Sequence, residues 1–294
     1  MILSQLLKAY LLECKIRNFS PETISERGYA VERFIAFTGD INIEEINRDK
    51  IKAYAIEYMG KAQANTVNNN LRHIKGMFNF ALEEGMIYTN YDGWIKSLKE
   101  EKTVIRTYAI SAIKQVLDNA NRLDFVSIRN KAIVILLIET GIRNSELCNI
   151  KLEDVLEGCI KIHGKGNKVR YVPITEAFDK ALTQYLFHRK EFLGNKSSEY
   201  LFISRLGGGM TRGALIKTIK DNVFNGQKEI DGIPITVHNF RRFFAQNMLD
   251  GTDLYTVSRL MGHTDVKTTE RYLRSAEDEK ILARGMNSPL TRLA

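Results

Sequence analysis

The sequence predicts a mainly α-helical chain with one small β-hairpin, an α+β fold in two domains. Three observations predict it. Apolar residues recur at helical spacing from residue 3 onward. A single stretch, residues 159–174, has hairpin character around a glycine-rich turn. A charge-dense run from Lys96 to Arg106 loses the apolar period and divides the chain. The expected boundaries are 1–96 for a helical domain, 97–106 for the linker and 107–294 for the second domain.

The first domain reads as four helices. Leu3, Leu6, Leu7, Tyr10 and Leu11 form the stripe of the first. Ser20-Pro21-Glu22 opens the second with a cap, a first-turn proline and an acid at the positive end of the dipole. Ile24, Val31, Phe34 and Ile35 face inward, and Gly39 stops the helix. Asn47 caps a third helix that runs to Gly60. Asn65 caps a fourth, with Val67, Leu71, Ile74, Met77, Phe78 and Ala81 inward, that ends at Gly85. Arg72 and Lys75 share an outward face of this helix and are candidate DNA contacts, against the plainer reading of a solvated face.

The second domain opens with a helix marked by Ile113, Val116 and Leu117. Ser127 caps the next, whose run Ala132 to Ile138 suits a central helix buried all round, ending at Gly141. Arg143 sits at the mouth of the short helix that follows. Cys159 to His163 and Val169 to Ile174 are the hairpin strands, flanking Gly164-Lys165-Gly166-Asn167-Lys168. Such a tip fits a groove, with Lys165 projecting; Lys168 and Arg170 are further candidate DNA contacts. The turn lacks the spacing of a phosphate loop. Thr175 caps one helix and Thr211 begins another that ends near Val223. His238 and Arg241 share a face of a helix after Pro234, and Arg242 is a candidate DNA contact. Thr252 caps a helix closing at Gly262. His263 follows, then Thr268, Thr269 and Tyr272, and an amphipathic tail from Ser275 to Gly285 with Ile281 and Leu282.

Composition narrows the class. The net charge is +8 and all of the excess lies beyond residue 100, which points to a polyanionic partner. The longest apolar run, Ala132 to Ile138, is too short for a bilayer span, and the start lacks a signal-peptide pattern. Three cysteines without CxxC spacing read as reduced thiols of a cytoplasmic protein. No cofactor and no metal are expected.

Arg143, Lys165, His238, Arg241, His263 and Tyr272 combine two guanidiniums, an ammonium, two imidazoles and a phenol. That set suits attack on a phosphodiester without a metal. Arginine grips non-bridging oxygens in bidentate fashion and stays charged. A phenol of ordinary pKa about 10 needs a cationic field or a basic neighbour to become a nucleophile.

Thr140-Gly141-Ile142-Arg143-Asn144-Ser145-Glu146-Leu147, Gly164 to Lys168, His238-x-x-Arg241, and Gly262-His263 through Thr268-Thr269-x-x-Tyr272 resemble the signature set of the tyrosine recombinase (phage integrase) family. The likeness covers about residues 106–275, and the helical first domain resembles the family's core-binding domain. The resemblance implies two domains clamping double-stranded DNA, with attack by Tyr272 giving a 3′-phosphotyrosine and a Holliday junction. It also implies Arg143 and Arg241 on the phosphate, Lys165 as general acid, His238 and His263 in support, and Glu146 as a buttress. A homo-tetramer on two DNA sites is implied, with the C-terminal tail docking on a neighbour, and an accessory excision factor is left open.

Two departures bear on the role. Xer-type resolvases commonly carry a histidine after the second arginine; here it is Arg242. The segment Thr268-Thr269-Glu270-Arg271-Tyr272 is closer to integrases of mobile elements. The expectation is therefore a transposon or phage recombinase, without the arm-binding domain of lambda-type integrases. The alternatives are an Xer-type dimer resolvase, a relaxing enzyme like type IB topoisomerases, and a non-catalytic DNA-binding regulator.

Overall fold

The computed structural model describes residues 1–99, 106–119, 124–164, 168–223, 226, 228–263, 265, 266 and 268–270. The chain divides into two compact units, Met1–Thr103 and Val104–Ala294. Lys165, Tyr272 and the tail with Ile281 and Leu282 lie outside the described residues. No described helix is long and apolar enough to cross a membrane.

The first unit is built from α1 (Leu3–Ile16), α2 (Pro21–Thr38), α3 (Arg48–Met59) and α4 (Ala64–Glu83). Their apolar stripes meet in one core, in which Leu3, Leu6, Val31, Phe34, Tyr54, Ile74, Met77 and Phe78 are buried. The Ser20 side chain accepts from the Thr23 amide, and Asn47 does the same for Lys50. Helix α4 starts earlier than expected: Gln63 takes the cap position without a side-chain bond, so Asn65 lies inside the helix. The segment after α4 stays with this unit, because Leu98 exchanges two hydrogen bonds with the Asn68 side chain.

The second unit wraps around α6 (Phe125–Thr140). Ala132 through Leu137 are buried without a break, so the helix needs neighbours on every side. They are supplied by α5 (Ile110–Asn119), α8 (Glu176–Leu193) and α10 (Val237–Met248), whose apolar residues join the same core. The cap of α6 is Asp124, which accepts from the amides of Val126 and Ser127; Ser127 instead donates its hydroxyl to Asp124. Helix α7 (Asn144–Asn149) follows α6 directly. Helix α9 (Arg212–Thr218) continues in a π turn to Val223, and Thr211 caps it. Helix α11 (Leu254–Met261) is capped by Asp253, not by Thr252: the Asp253 carboxylate reaches the Thr256 amide, the third residue on.

The expected hairpin is β2 (Cys159–His163) with β3 (Val169–Pro173), and β1 (Val155–Leu156) extends it to three antiparallel strands. A two-stranded ribbon, β4 (Glu229–Ile230) with β5 (Ile233–Pro234), leads into α10. In the hairpin register Val172 faces Ile160 and Arg170 faces Ile162. Ile160, Ile162 and Val172 are buried, so the period of two places Arg170 on the inward face.

Candidate active site

The site lies where two helices end. Helix α6 stops at Gly141, in the left-handed region with φ 56°. A Cβ here would come within 2.6 Å of the Phe244 ring, so only glycine lets α6 end against α10. Helix α11 stops at Gly262, with φ 65°, where a Cβ would crowd the Arg170 guanidinium at 3.0 Å. The closing carbonyls of a helix have no intrahelical donor and carry the negative end of its dipole. Three arginines meet them here.

Arg170 donates through Nε to the Leu260 carbonyl at 2.8 Å. Arg241 donates through Nη2 to Met261 at 2.7 Å and through Nη1 to Gly141 at 2.6 Å. Arg143 donates through Nη2 to Gly262 at 3.1 Å. Three consecutive carbonyls of one helix end are thus each held by a different arginine. Arg241 is buried, and the ends of α6 and α11 offset its charge. The Arg143 side chain is 38% exposed, so solvent or a ligand can reach it.

Glu146 organises the cations. It sits on the third residue of α7 and is 5% exposed. It accepts the Arg143 amide, the Arg143 guanidinium at 2.8 Å, and both Nη atoms of Arg170 at 2.9 and 2.7 Å. Burial pushes its carboxyl pKa up, but the bonds and charges from Arg170 and Arg143 win and hold it at about 2. The expected buttress position is therefore an ion-paired interior site, not an ordinary helix surface. Two guanidiniums share this one carboxylate and Arg241 adds a third positive charge at the same helix end, which leaves the cluster positive and suited to an anion.

His263 completes the cluster. Its Nε2 lies 2.8 Å from Arg241 Nη2 and its Nδ1 lies 2.7 Å from the Thr269 hydroxyl. A guanidinium only donates, so Nε2 must carry the lone pair and Nδ1 the proton, which it donates to Thr269. Burial, then the charges of Arg241, Arg143 and Arg170, depress the imidazole pKa to about 4 against the opposing pull of Glu146. The ring is neutral near pH 7. His238, one turn before Arg241 on α10, is also depressed, first by desolvation and then by Arg242 and Arg241.

The structure thus brings together Arg143, Glu146, Arg170, Arg241 and His263, with His238 alongside on α10. Arg170 is not at the surface as a groove contact would be: its side chain is 12% exposed and its nitrogens face protein acceptors. Lys168 is exposed beside the turn, its carbonyl accepting the Gly164 amide. Arg242 is partly buried and donates to Asn239. In the first unit Arg72 donates to Asn69, and Lys75 pairs with Asp92 at 3.2 Å. Two participants escaped sequence reasoning. Thr269, fully buried, accepts the Nδ1 proton of the His263 tautomer that Arg241 dictates; only its place in the Thr268-Thr269 pair hinted at it. The inward position of Arg170 was available from strand alternation with Val172.

Two family models cover most of the chain: the phage integrase family over residues 106–279 and the phage integrase SAM-like domain over residues 3–98. Tyrosine recombinase XerD of Halalkalibacterium halodurans is 28% identical over 265 residues, 87% of this chain and 88% of the relative. Tyrosine recombinase XerC of Pseudomonas fluorescens is 27% identical over 278 residues, 92% of this chain and 91% of the relative. Among solved structures, a lambda integrase tetramer bound to a Holliday junction superposes with a TM-score of 0.76 at 18% identity, covering 92% of this chain and 77% of that one. The chain belongs to the phage integrase family and is a tyrosine recombinase, a DNA strand-transferring enzyme.

Proposed function

We propose that this enzyme is a site-specific recombinase of the Xer type, resolving chromosome or plasmid dimers, with Tyr272 as its nucleophile. The observation that carries the chemistry is the convergence of Arg143, Arg241 and neutral His263 on the corner at Gly262, from which the chain runs on to Tyr272. The Tyr272 oxygen attacks the scissile phosphorus, its proton passing to a nearby base. The bond to the 5′-oxygen breaks, and Lys165 returns a proton to that oxygen. Arg143 and Arg241 hold the non-bridging oxygens as negative charge grows on them. The 3′-phosphotyrosine conserves the bond, so a 5′-hydroxyl of another strand reverses the step without an energy source. The Glu146 carboxylate keeps the guanidiniums apart and oriented. His263, as a neutral ring whose lone pair faces Arg241, adds no proton of its own at that face.

The sequence alone leaned toward a mobile element, on Arg242 and the Thr268–Tyr272 segment. The relatives favour the Xer alternative: both match along nearly their whole length and both are Xer recombinases. The shared fold of a lambda integrase tetramer on a Holliday junction supports duplex DNA as partner and four protomers as the working assembly. The chemical test is a pool of nicked suicide duplexes with randomised arms. Wild type becomes covalently attached to DNA; Tyr272→Phe does not, and an adduct with that variant would sink the mechanism. The biological test is deletion of the gene. Trapped chromosome dimers support the Xer role, whereas normal segregation with lost transposition overturns it.

A further inference from the structure

Arg170 holds three elements at once. It belongs to β3, immediately after the turn that carries Lys165. Its two Nη atoms clasp both oxygens of Glu146 on α7, and its Nε holds the Leu260 carbonyl at the end of α11. We infer that Arg170 is a positioning residue, which keeps the hairpin, the Arg143 helix and the corner leading to Tyr272 in register, and not a contact to DNA. This inference rests on the recombinase reading above.

The geometry explains why an arginine stands at an inward strand position opposite Ile162. A planar fork satisfies a carboxylate in bidentate fashion while its remaining N–H points to a third acceptor; an ammonium offers no such fixed fork. The division of Glu146 matters for Arg143. With Arg170 present, Glu146 Oε2 takes one Arg170 Nη and the Arg143 amide, and Arg143 offers the carboxylate only Nη1. Without Arg170, a buried carboxylate loses two of its donors and draws on the remaining guanidinium. Arg143 then turns from the exposed side where a phosphate would sit. The corner at Gly262 also loses a tether, because Arg170 packs against it as well as bonding Leu260.

The test uses full-length protein with Arg170→Met and Arg170→Lys. Cleavage of the captured suicide duplex at saturating DNA falls about 100-fold in Arg170→Met, as small misplacements of catalytic groups do. Affinity for the duplex, measured in a Tyr272→Phe background, keeps its salt dependence. A lost phosphate contact would lower that slope by about 0.9, and such a drop overturns the inference. Independently of the reaction, hydrogen exchange at the Gly262 and His263 amides speeds about tenfold, because their bonds to Arg259 and Ser258 lie at the freed helix end. Cleavage and exchange both within about twofold of wild type also overturn it. If Arg170→Met does not fold, Arg170→Lys carries the same measurements with the charge retained. If wild type forms no adduct, the recombinase reading falls, while the exchange result still decides the tether.

Discussion

The two arginines proposed to hold the phosphate differ in how deeply the fold depends on them. Arg241 is buried and ties the ends of two helices, whereas Arg143 keeps an exposed edge. Arg143→Ala should therefore cost about 3–4 kcal/mol of transition-state stabilisation, by analogy with a lost oxyanion donor, with little change in melting temperature. Arg241→Ala should lose cleavage and stability together. Adduct yield beside thermal unfolding separates the two, and equal melting losses would contradict the distinction. Acid lability follows from the same cluster. His263 is held at about 4 in the fold against 6.5 ordinarily, so its stabilisation is complete above 6.5 and is lost as pH falls toward 4. Glu146 is held at about 2 against 4.5, so its contribution is complete above 4.5 and is lost below it. Both slopes have one sign: melting temperature should be flat above neutrality and fall continuously below about pH 6.5. His263→Asn should flatten the upper part of that fall, and an unchanged profile would refute its assignment. The phosphate-handling set was legible in the sequence, and the family resemblance gave Glu146 a buttressing role, but the ion pairing that sets these pKa values was not. The types Arg, Glu and His were visible, but a lone Glu146 on a short helix reads as a surface acid until Arg170 arrives from a strand 24 residues later.

Helix ends, more than helix bodies, make this site. Gly141 shows the coupling, since it is both the left-handed stop of α6 and the carbonyl that Arg241 grips. Gly141→Ala places a Cβ against Phe244 in a backbone conformation that disfavours it. The expected outcome is a loss of several degrees in melting temperature and a larger loss of cleavage, because the shift moves Arg241 directly. Adding Phe244→Leu should recover stability more than activity; recovery of both in parallel would show that Gly141 only serves packing. The helix bodies were legible because apolar spacing is a local signal: the α4 stripe from Val67 to Ala81 is buried throughout. Their starts were less so. Asp124 and Asp253 cap where Ser127 and Thr252 were expected, since neighbouring residues of equal capping propensity compete and only backbone geometry decides which side chain meets the third amide. The short strands β1, β4 and β5 hold two residues each, too few for alternation to register.

At the scale of the molecule, the two compact units each carry their own core, and the positive excess lies in the second. A basic excess suits a polyanionic partner, yet a recombinase and a relaxing enzyme would share that partner and the same tyrosine chemistry. They differ in how many active protomers one event requires. A relaxing monomer cleaves and reseals alone, so mixing wild type with Tyr272→Phe in equal amounts leaves about half the activity. A closed assembly of four that exchanges all four strands of two duplexes needs every tyrosine. Random mixing in equal amounts then leaves about one-sixteenth of full recombination. Covalent adducts still fall only by about half, because each protomer supplies its own nucleophile in this reading, and unresolved junctions accumulate from assemblies that complete a single exchange. Adduct yield and recombinant product measured across the mixing series therefore distinguish the two. A linear fall in both would remove the tetramer from the proposal, whereas a steep fall in product alone is what four interdependent tyrosines require.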